Sequence, residues 1–298
     1  MKKVIEVAGL TKTYTKEAVL KQLNFSVERG EIVALLGKNG AGKSTLLNIL
    51  LQMTPKDSGK VEILGSKQLK TEKIGVMLQN DFSLERVTVK EIIELWQSYY
   101  PNSKNYAELL QIADLADKQH TFLTKLSGGQ RRRLNFALCL AGDPELIFLD
   151  EPTVGMDVVS RQKFWQQIKS LQALGKTFLI TSHYLEELQE IAQRFLILKD
   201  GKLAFAGTLQ QLQQGHQVVT IRFDSQLDQS LFAELPGVLA VEANAGSYTL
   251  KTTQLNQCLP RLIPYLAAIE NLSIEQGSLN DLFLELTGGR DDDKTARI

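Results

Sequence analysis

The sequence predicts an α/β fold built on a parallel sheet, followed by a smaller α+β domain. Short runs rich in Val, Ile and Leu alternate with helical patterns from the start to about residue 205. A glycine-rich stretch, GKNGAGKST at 37–45, sits between one such run and the helical LLNILLQM. After GTLQQLQQG (207–215), which reads as a short closing helix and linker, the alternation restarts with shorter elements. These features place one domain at 1–215, a second at 216–290 and a disordered tail at 291–298.

Four runs read as strands of the first domain: EIVALLG (31–37), KIGVMLQ (73–79), ELIFLD (145–150) and TFLITSH (177–183). All are apolar on both faces, as parallel strands covered by helices on both sides are. Each ends on polar residues, and such sheets hold ligands at the carboxyl ends of their strands. The four polar ends therefore predict one crevice.

Between about 80 and 145 the pattern turns helical and predicts an insert. Thr88 and Glu91 form a T-x-x-E capping box, with Ile92, Ile93, Trp96 and Tyr99 following at helical spacing and Pro101 as the stop. A second helix is predicted through YAELLQIADLAD (106–117). Beyond residue 216 the order is strand VVTIRF, helix QSLFAEL, strands VLAVEA and SYTLKT, helix QCLPRLIPYLA and strand NLSIEQ. That βαββαβ order predicts a ferredoxin-like domain, with Pro260 and Pro264 weakening its second helix. A last helix, SLNDLFLEL, is predicted to start at Ser278 with Asp281 in capping position.

Charge and cysteine content exclude several function classes. The 34 Lys and Arg residues balance 34 Asp and Glu, so no general field draws the chain to nucleic acid or anionic lipid. Residues 216–290 carry four basic residues against eight acidic ones and no aromatic RNP pattern, so no nucleic-acid partner is expected. Cys139 and Cys258 match no metal or redox spacing, and Cys139, inside LNFALCLAG, reads as a buried thiol with no disulfide expected. Met1, Lys2 and Lys3 lead straight into the alternating VIEVAGL, which does not read as a signal peptide. Apolar runs such as LNFALCLA fall far short of the ~20 residues a membrane helix needs. The expectation is a cytoplasmic chain whose membrane role, if it has one, comes through a partner.

GKNGAGKST fits G-x-x-x-x-G-K-[ST] in the strand-to-helix context that a phosphate-binding loop requires. Gly37, Gly40 and Gly42 let the loop Gly37, Lys38, Asn39, Gly40, Ala41, Gly42 bend and turn its N–H groups on phosphate oxygens. Lys43 is expected at the β- and γ-phosphates, Ser44 on Mg²⁺ and Thr45 near the α-phosphate. A chance glycine turn is the alternative. LIFLD ends on Asp150, with Glu151 next, and successive side chains on an extended chain point opposite ways. Asp150 is thus expected to orient the Mg²⁺ shell and Glu151 to face the attacking water as general base.

LSGGQ (126–130) is a second glycine-rich helix start. Ser127 and Gln130 form an S-x-x-Q capping box for RRRLNFALCLA, a helix predicted to run to Gly142 before Pro144. A cap does not need Gly128 and Gly129, which leave bare N–H groups and a positive dipole end open to an anion. Arg131, Arg132 and Arg133 also look like an anion patch, though a solvated face is the reading for at least two of them.

Taken in order, GKNGAGKST, Gln79, LSGGQ, LIFLDE and Ser182–His183 resemble the ATP-binding cassette (ABC) ATPases over residues 3 to about 210. The resemblance implies a P-loop NTPase fold with a mixed sheet, ATP and Mg²⁺ as ligands, and LSGGQ closing over the ATP of another cassette. One cassette is present, so the chain should work as a dimer, with itself or with a related ATPase. By the same resemblance Tyr14 stacks on adenine, Gln79 meets Mg²⁺ and water, and Asp157 acts across the dimer. His183 contacts the γ-phosphate; His120 and His216 read as structural. Met156 stands where leucine is commoner, a small packing change.

The segment SHYLEELQEIAQRFLILKDGKLAFAGT, with SLNDLFLELTGG near the end, resembles ATPase subunits of drug- and antibiotic-export transporters. That implies a separate multi-span membrane permease, docked near Gln79 and residues 80–100, and a place on the cytoplasmic face of the membrane. Trp96 reads as insert core. The alternative is a soluble cassette ATPase acting on translation or nucleic acid, but such relatives carry two cassettes or a long coiled coil, and this chain has neither. A merely nucleotide-binding regulator is disfavoured because every catalytic position is filled.

Overall fold

The fold is that of a computed structural model, which describes residues 2–15, 17–79, 84–182, 185–215, 219–244, 246–276 and 279–287. The chain divides into two compact units, residues 1–206 and 207–298.

In the first unit, alternating apolar positions build an antiparallel sheet that the strand runs above did not include. β1 (Lys3–Tyr14), β2 (Glu17–Glu28) and β4 (Ser58–Ile63) pair in the order β2-β1-β4. The continuous apolar runs form the second sheet. Its strands β3 (Ile32–Gly37), β5 (Ile74–Met77), β6 (Leu146–Asp150), β7 (Thr177–Thr181), β8 (Arg194–Lys199) and β9 (Lys202–Gly207) lie in the order β5-β6-β7-β3-β8-β9. Every pairing from β5 to β8 is parallel. β3 and β7 are buried along their whole length, as the two-sided apolar pattern requires. Helix α1 (Lys43–Leu50) follows β3, and its Leu46, Leu47, Ile49 and Leu50 pack into a core shared by the two sheets.

The insert has a core of its own. α2 (Val89–Ser98) starts with the predicted Thr88–Glu91 box and buries Val89, Ile92 and Ile93; Trp96 packs partly buried on this core, whereas Tyr99 is exposed. α3 (Tyr106–Ala113) ends four residues earlier than predicted, because Asp114 takes a left-handed conformation (φ 52°) that breaks the helix. α4 (Gly128–Cys139) likewise stops before Gly142. α5 (Val158–Ala173) links β6 to β7, and α6 (Leu185–Ile191) lies between β7 and β8.

In the second unit α7 (Leu209–Gly215) packs against α10 (Leu279–Thr287), which is why the boundary falls at 206/207 and not after residue 215. Between them lie β10 (Val219–Ser225), α8 (Ser230–Ala233), β11 (Val238–Asn244), β12 (Ser247–Thr252), α9 (Leu255–Leu262) and β13 (Ile269–Gln276). The sheet order is β11-β12-β10-β13, all antiparallel, the split βαβ arrangement. Pro260 sits inside α9, and after it the chain tightens into a 3₁₀ turn at Ile263–Ala268 with Pro264 at its start. Ser278 and the tail from residue 288 lie outside the described residues. Cys139 and Cys258 are buried free thiols, and burial pushes both upward from the ordinary thiol range.

Candidate nucleotide site

The carboxyl ends of four neighbouring parallel strands supply the predicted residues. β3 runs into the loop from Gly37, β5 into Leu78 and Gln79, β6 into Asp150 and Glu151, and β7 into Ser182. Gln79 is exposed; His183 lies outside the described residues.

The phosphate loop is glycine-bound for reasons internal to the chain. A Cβ on Gly37 would sit 2.8 Å from the Leu198 carbonyl oxygen. Gly42 has φ 106°, and a Cβ there would fall 2.7 Å from Leu20 Cδ2 on β2. Gly42 is the N-cap of α1 with no side-chain cap and no acidic residue in the first turn, so the helix start presents its N–H groups and positive dipole end to an anion. Lys38, Asn39, Gly40 and Ser44 are exposed, Thr45 is half-buried and Ala41 buried. Lys43 Nζ folds back onto the carbonyls of Gly37 (2.5 Å) and Lys38 (3.2 Å). Burial holds its ammonium below the ordinary lysine range, against the opposing pull of the Glu151 and Asp150 charges.

Thr181 organises the two acids. Its hydroxyl donates to Asp150 Oδ1 at 2.5 Å and accepts the Glu151 N–H at 3.1 Å. Glu151 is buried and has φ 50°, a left-handed backbone that an ordinary residue adopts only when its surroundings hold it there. The Glu151 carbonyl accepts from Arg132 Nη2 at 2.6 Å. Arg132 is 2 % exposed and also donates to the carbonyls of Leu78 (3.0 Å) and Asp150 (3.4 Å). Arg133 donates to the Ala113 carbonyl and the Ser160 hydroxyl. The expectation of a solvated arginine face is thus overturned: these side chains satisfy carbonyls at element ends, which a helix pattern read alone does not reveal.

Tyr14 ends β1 and is 45 % exposed, with the Lys12 ammonium 5.1 Å from its ring centroid. Lys12 is paired with Asp57 at 3.2 Å and stands opposite Leu20, the residue that packs on Gly42. The hairpin bearing Tyr14 is therefore seated on the phosphate loop.

LSGGQ forms the predicted reciprocal box: Ser127 Oγ accepts the Gln130 N–H (3.2 Å) and Gln130 Oε1 accepts the Ser127 N–H (2.9 Å). Neither glycine has a left-handed φ. A Cβ on Gly128 would lie 3.9 Å, and on Gly129 3.4 Å, from the Gly155 carbonyl oxygen, both ordinary contacts. Asp157 caps α5, accepting the Ser160 N–H (2.9 Å), which holds its carboxyl below the usual range. Met156 is buried, and Val154, Val158 and Val159 beside it are exposed. Glu187 was not anticipated. It accepts from Arg161 (2.7 Å) and Trp165 Nε1 (2.6 Å), tying α6 to α5. No local pattern marks such a bond; only the folded crossing of the helices does.

A family model described as ABC transporter matches residues 20–154. The chain is 34 % identical over 299 residues to a Nod factor export ATP-binding protein I of Rhizobium johnstonii, covering 95 % of this chain and 94 % of that protein. The chain belongs to the ABC transporter ATP-binding subunits. A second relative of the same name, from Rhizobium meliloti, is 39 % identical over 207 residues, 66 % of this chain and 62 % of the relative. The fold matches a solved ATP-binding subunit of an ABC transporter with TM-score 0.66 and 26 % identity, over 71 % of this chain and 92 % of that one. It also matches a dimeric ATP-binding cassette in a post-hydrolysis state with ADP and Pi, with TM-score 0.63 and 29 % identity, over 69 % and 98 %. As an ABC transporter ATP-binding subunit the chain is an ATPase that binds ATP. None of these relatives is named for translation or nucleic acid.

Proposed function

We propose that this chain is the ATPase subunit of an exporter in which two copies, or one copy and a related cassette, enclose two ATP molecules between them. The observation that carries this reading is the pair Gly128 and Gly129. Neither has a left-handed φ and a Cβ on either would make only ordinary contacts, so neither backbone angle nor the first side-chain atom demands glycine at the start of α4. Access by an outside anion does.

In this reading Lys43 leaves the loop carbonyls for the β- and γ-phosphates, and the open start of α1 holds their oxygens. Ser44 and Asp150, with Gln79, would hold Mg²⁺; an exposed hydroxyl and a carboxylate oriented by Thr181 suit a hard cation that shares its oxygens with phosphates. When bound, Mg²⁺ neutralises charge on the transferring phosphoryl oxygens. Glu151 takes the proton of the attacking water, His183 contacts the γ-phosphate and Tyr14 stacks on adenine. Ser127, Gly128, Gly129 and Gln130 close the partner's site, and Asp157 works across the same seam. A separate multi-span permease would anchor the pair to the cytoplasmic face of the membrane. Among the described residues no helix is long and apolar enough to cross a membrane. Export is supported by the name of the relatives that align over nearly the whole chain.

Mixing tests both halves of the proposal. Alone, Glu151→Gln should lose about 10²–10⁴-fold in steady-state ATPase, the typical contribution of a general base, and Ser127→Arg should be comparably inactive. Mixed, one site carries both lesions and the other neither, so activity should return well above either variant. A rate for Glu151→Gln within a few-fold of the parent removes Glu151 as base. No recovery on mixing, with the permease present, removes the shared site.

A further inference from the structure

We infer that Arg132 is a positioning residue that couples the two nucleotide sites of the dimer, through the backbone that holds Glu151. This rests on the shared-site reading above. Arg132 stands on the first turns of α4, two residues after Gln130, on the helix whose start would meet the partner's ATP. Its guanidinium is buried and bonded to three carbonyls: those of Leu78, Asp150 and Glu151. Leu78 precedes Gln79, and Asp150 and Glu151 are the acids of the chain's own site. One rigid side chain therefore joins the helix that serves the neighbouring nucleotide to two strand ends that serve the local one.

The link acts where the backbone is least relaxed. Glu151 has φ 50° and is pinned on both sides, its N–H by the Thr181 hydroxyl and carbonyl, its C=O by Arg132. Residues held in such conformations return toward ordinary ones when a restraint moves. A displacement of α4 on meeting the partner's triphosphate is passed to the Glu151 carbonyl by the 2.6 Å bond, and so to the placement of its carboxylate. A planar fork with several donors suits this task, and a lysine, with one ammonium, reaches fewer of the carbonyls.

The test is the ATP dependence of hydrolysis by the full chain with its permease, comparing the parent with Arg132→Lys and Arg132→Gln. The parent should show a Hill coefficient above 1, at most about 2 for two coupled sites. Both variants should fall to about 1, with kcat lowered about tenfold or more by misplacement of the base and half-saturation changed by less than about twofold. Arg132→Lys keeps the buried charge and guards against a variant that does not fold. A loss of thermal stability with the Hill coefficient unchanged would make Arg132 a structural pin and overturn the inference. A parent Hill coefficient of 1 also overturns it. If the Glu151→Gln and Ser127→Arg mixture still recovers activity in that case, the shared site itself survives.

Discussion

The chain contains two glycine-rich helix starts, and they are glycine-rich for opposite reasons. At the start of α1, Gly37 and Gly42 are required by the chain itself: a carbonyl or a leucine occupies the place of the missing Cβ, and Gly42 is left-handed. At the start of α4, Gly128 and Gly129 face no such obstacle, and the helix is already closed by a reciprocal Ser127–Gln130 box. The first start is uncapped and open, the second capped and bare. A glycine that its own fold does not need is best explained by something that approaches from outside, and substitutions at the two starts should therefore separate stability from activity.

The largest effect expected on that contrast comes from Gly128→Asp. A carboxylate in the first turn of α4 interacts favourably with the helix dipole, by about 0.3–1 kcal/mol, so the isolated chain should be unchanged or slightly more stable. The same charge would repel a partner's triphosphate, and ATPase should fall about 10²-fold or more, the size of effect that loss of a preorganised anion contact produces. Thermal melting and steady-state hydrolysis, measured on one preparation, check both. Normal hydrolysis in this variant would mean that no anion visits α4 and would erase the distinction.

An intermediate effect sharpens the comparison from the stability side. Gly42→Ala places a Cβ at 2.7 Å from Leu20 and forces a φ of 106° on an L-residue, a strain of about 1–3 kcal/mol. For a domain of this size that lowers the melting temperature by roughly 2–10 °C. Gly128→Ala meets no atom closer than 3.9 Å and exchanges a poor helix former for the best one, so melting should hold or rise by about 1–3 °C. Equal destabilisation by the two would show that α4 needs its glycines for packing after all.

What the sequence revealed and what it hid divide along the same line. Local chemistry was legible: the loop at 37–45, the strand runs read to 37, 79, 150 and 183, which the structure ends at 37, 77, 150 and 181, both capping boxes, and the buried Cys139 all follow from short-range pattern. Contacts between distant segments were not. Arg132 looks like one of three equivalent arginines until β5 and β6 bring three carbonyls to it. Glu187 stands in LEELQE, and nothing local to that stretch marks its bond to Trp165 on α5. The β1-β2-β4 sheet escaped for a related reason. Its strands carry register shifts, which interrupt the period-2 alternation along their length. The early end of α3 at Ala113 turns on one left-handed aspartate, which the apolar repeat running through IADLAD conceals.

The smallest effect concerns the cap on α4, and it asks whether the box is merely a stop for the helix or also aims the glycines. Ser127→Ala removes the acceptor for the Gln130 N–H and half of the reciprocal pair, at a cost of about 1 kcal/mol. Urea unfolding should show a lower midpoint with an unchanged slope, since the surface exposed on unfolding is the same. Ser127→Thr keeps the hydroxyl and should restore most of the loss. Because Ser127 is exposed on the free chain, its hydroxyl also has a face turned to any anion at the helix start, so hydrolysis should drop beyond what a small stability loss explains. At a temperature well below melting, 1 kcal/mol leaves nearly all molecules folded, and a cap acting only on stability would then leave the rate untouched. A several-fold fall in ATPase by Ser127→Ala under those conditions, reversed by Ser127→Thr, would mark the box as part of the composite nucleotide pocket; an unaltered rate would confine it to the fold.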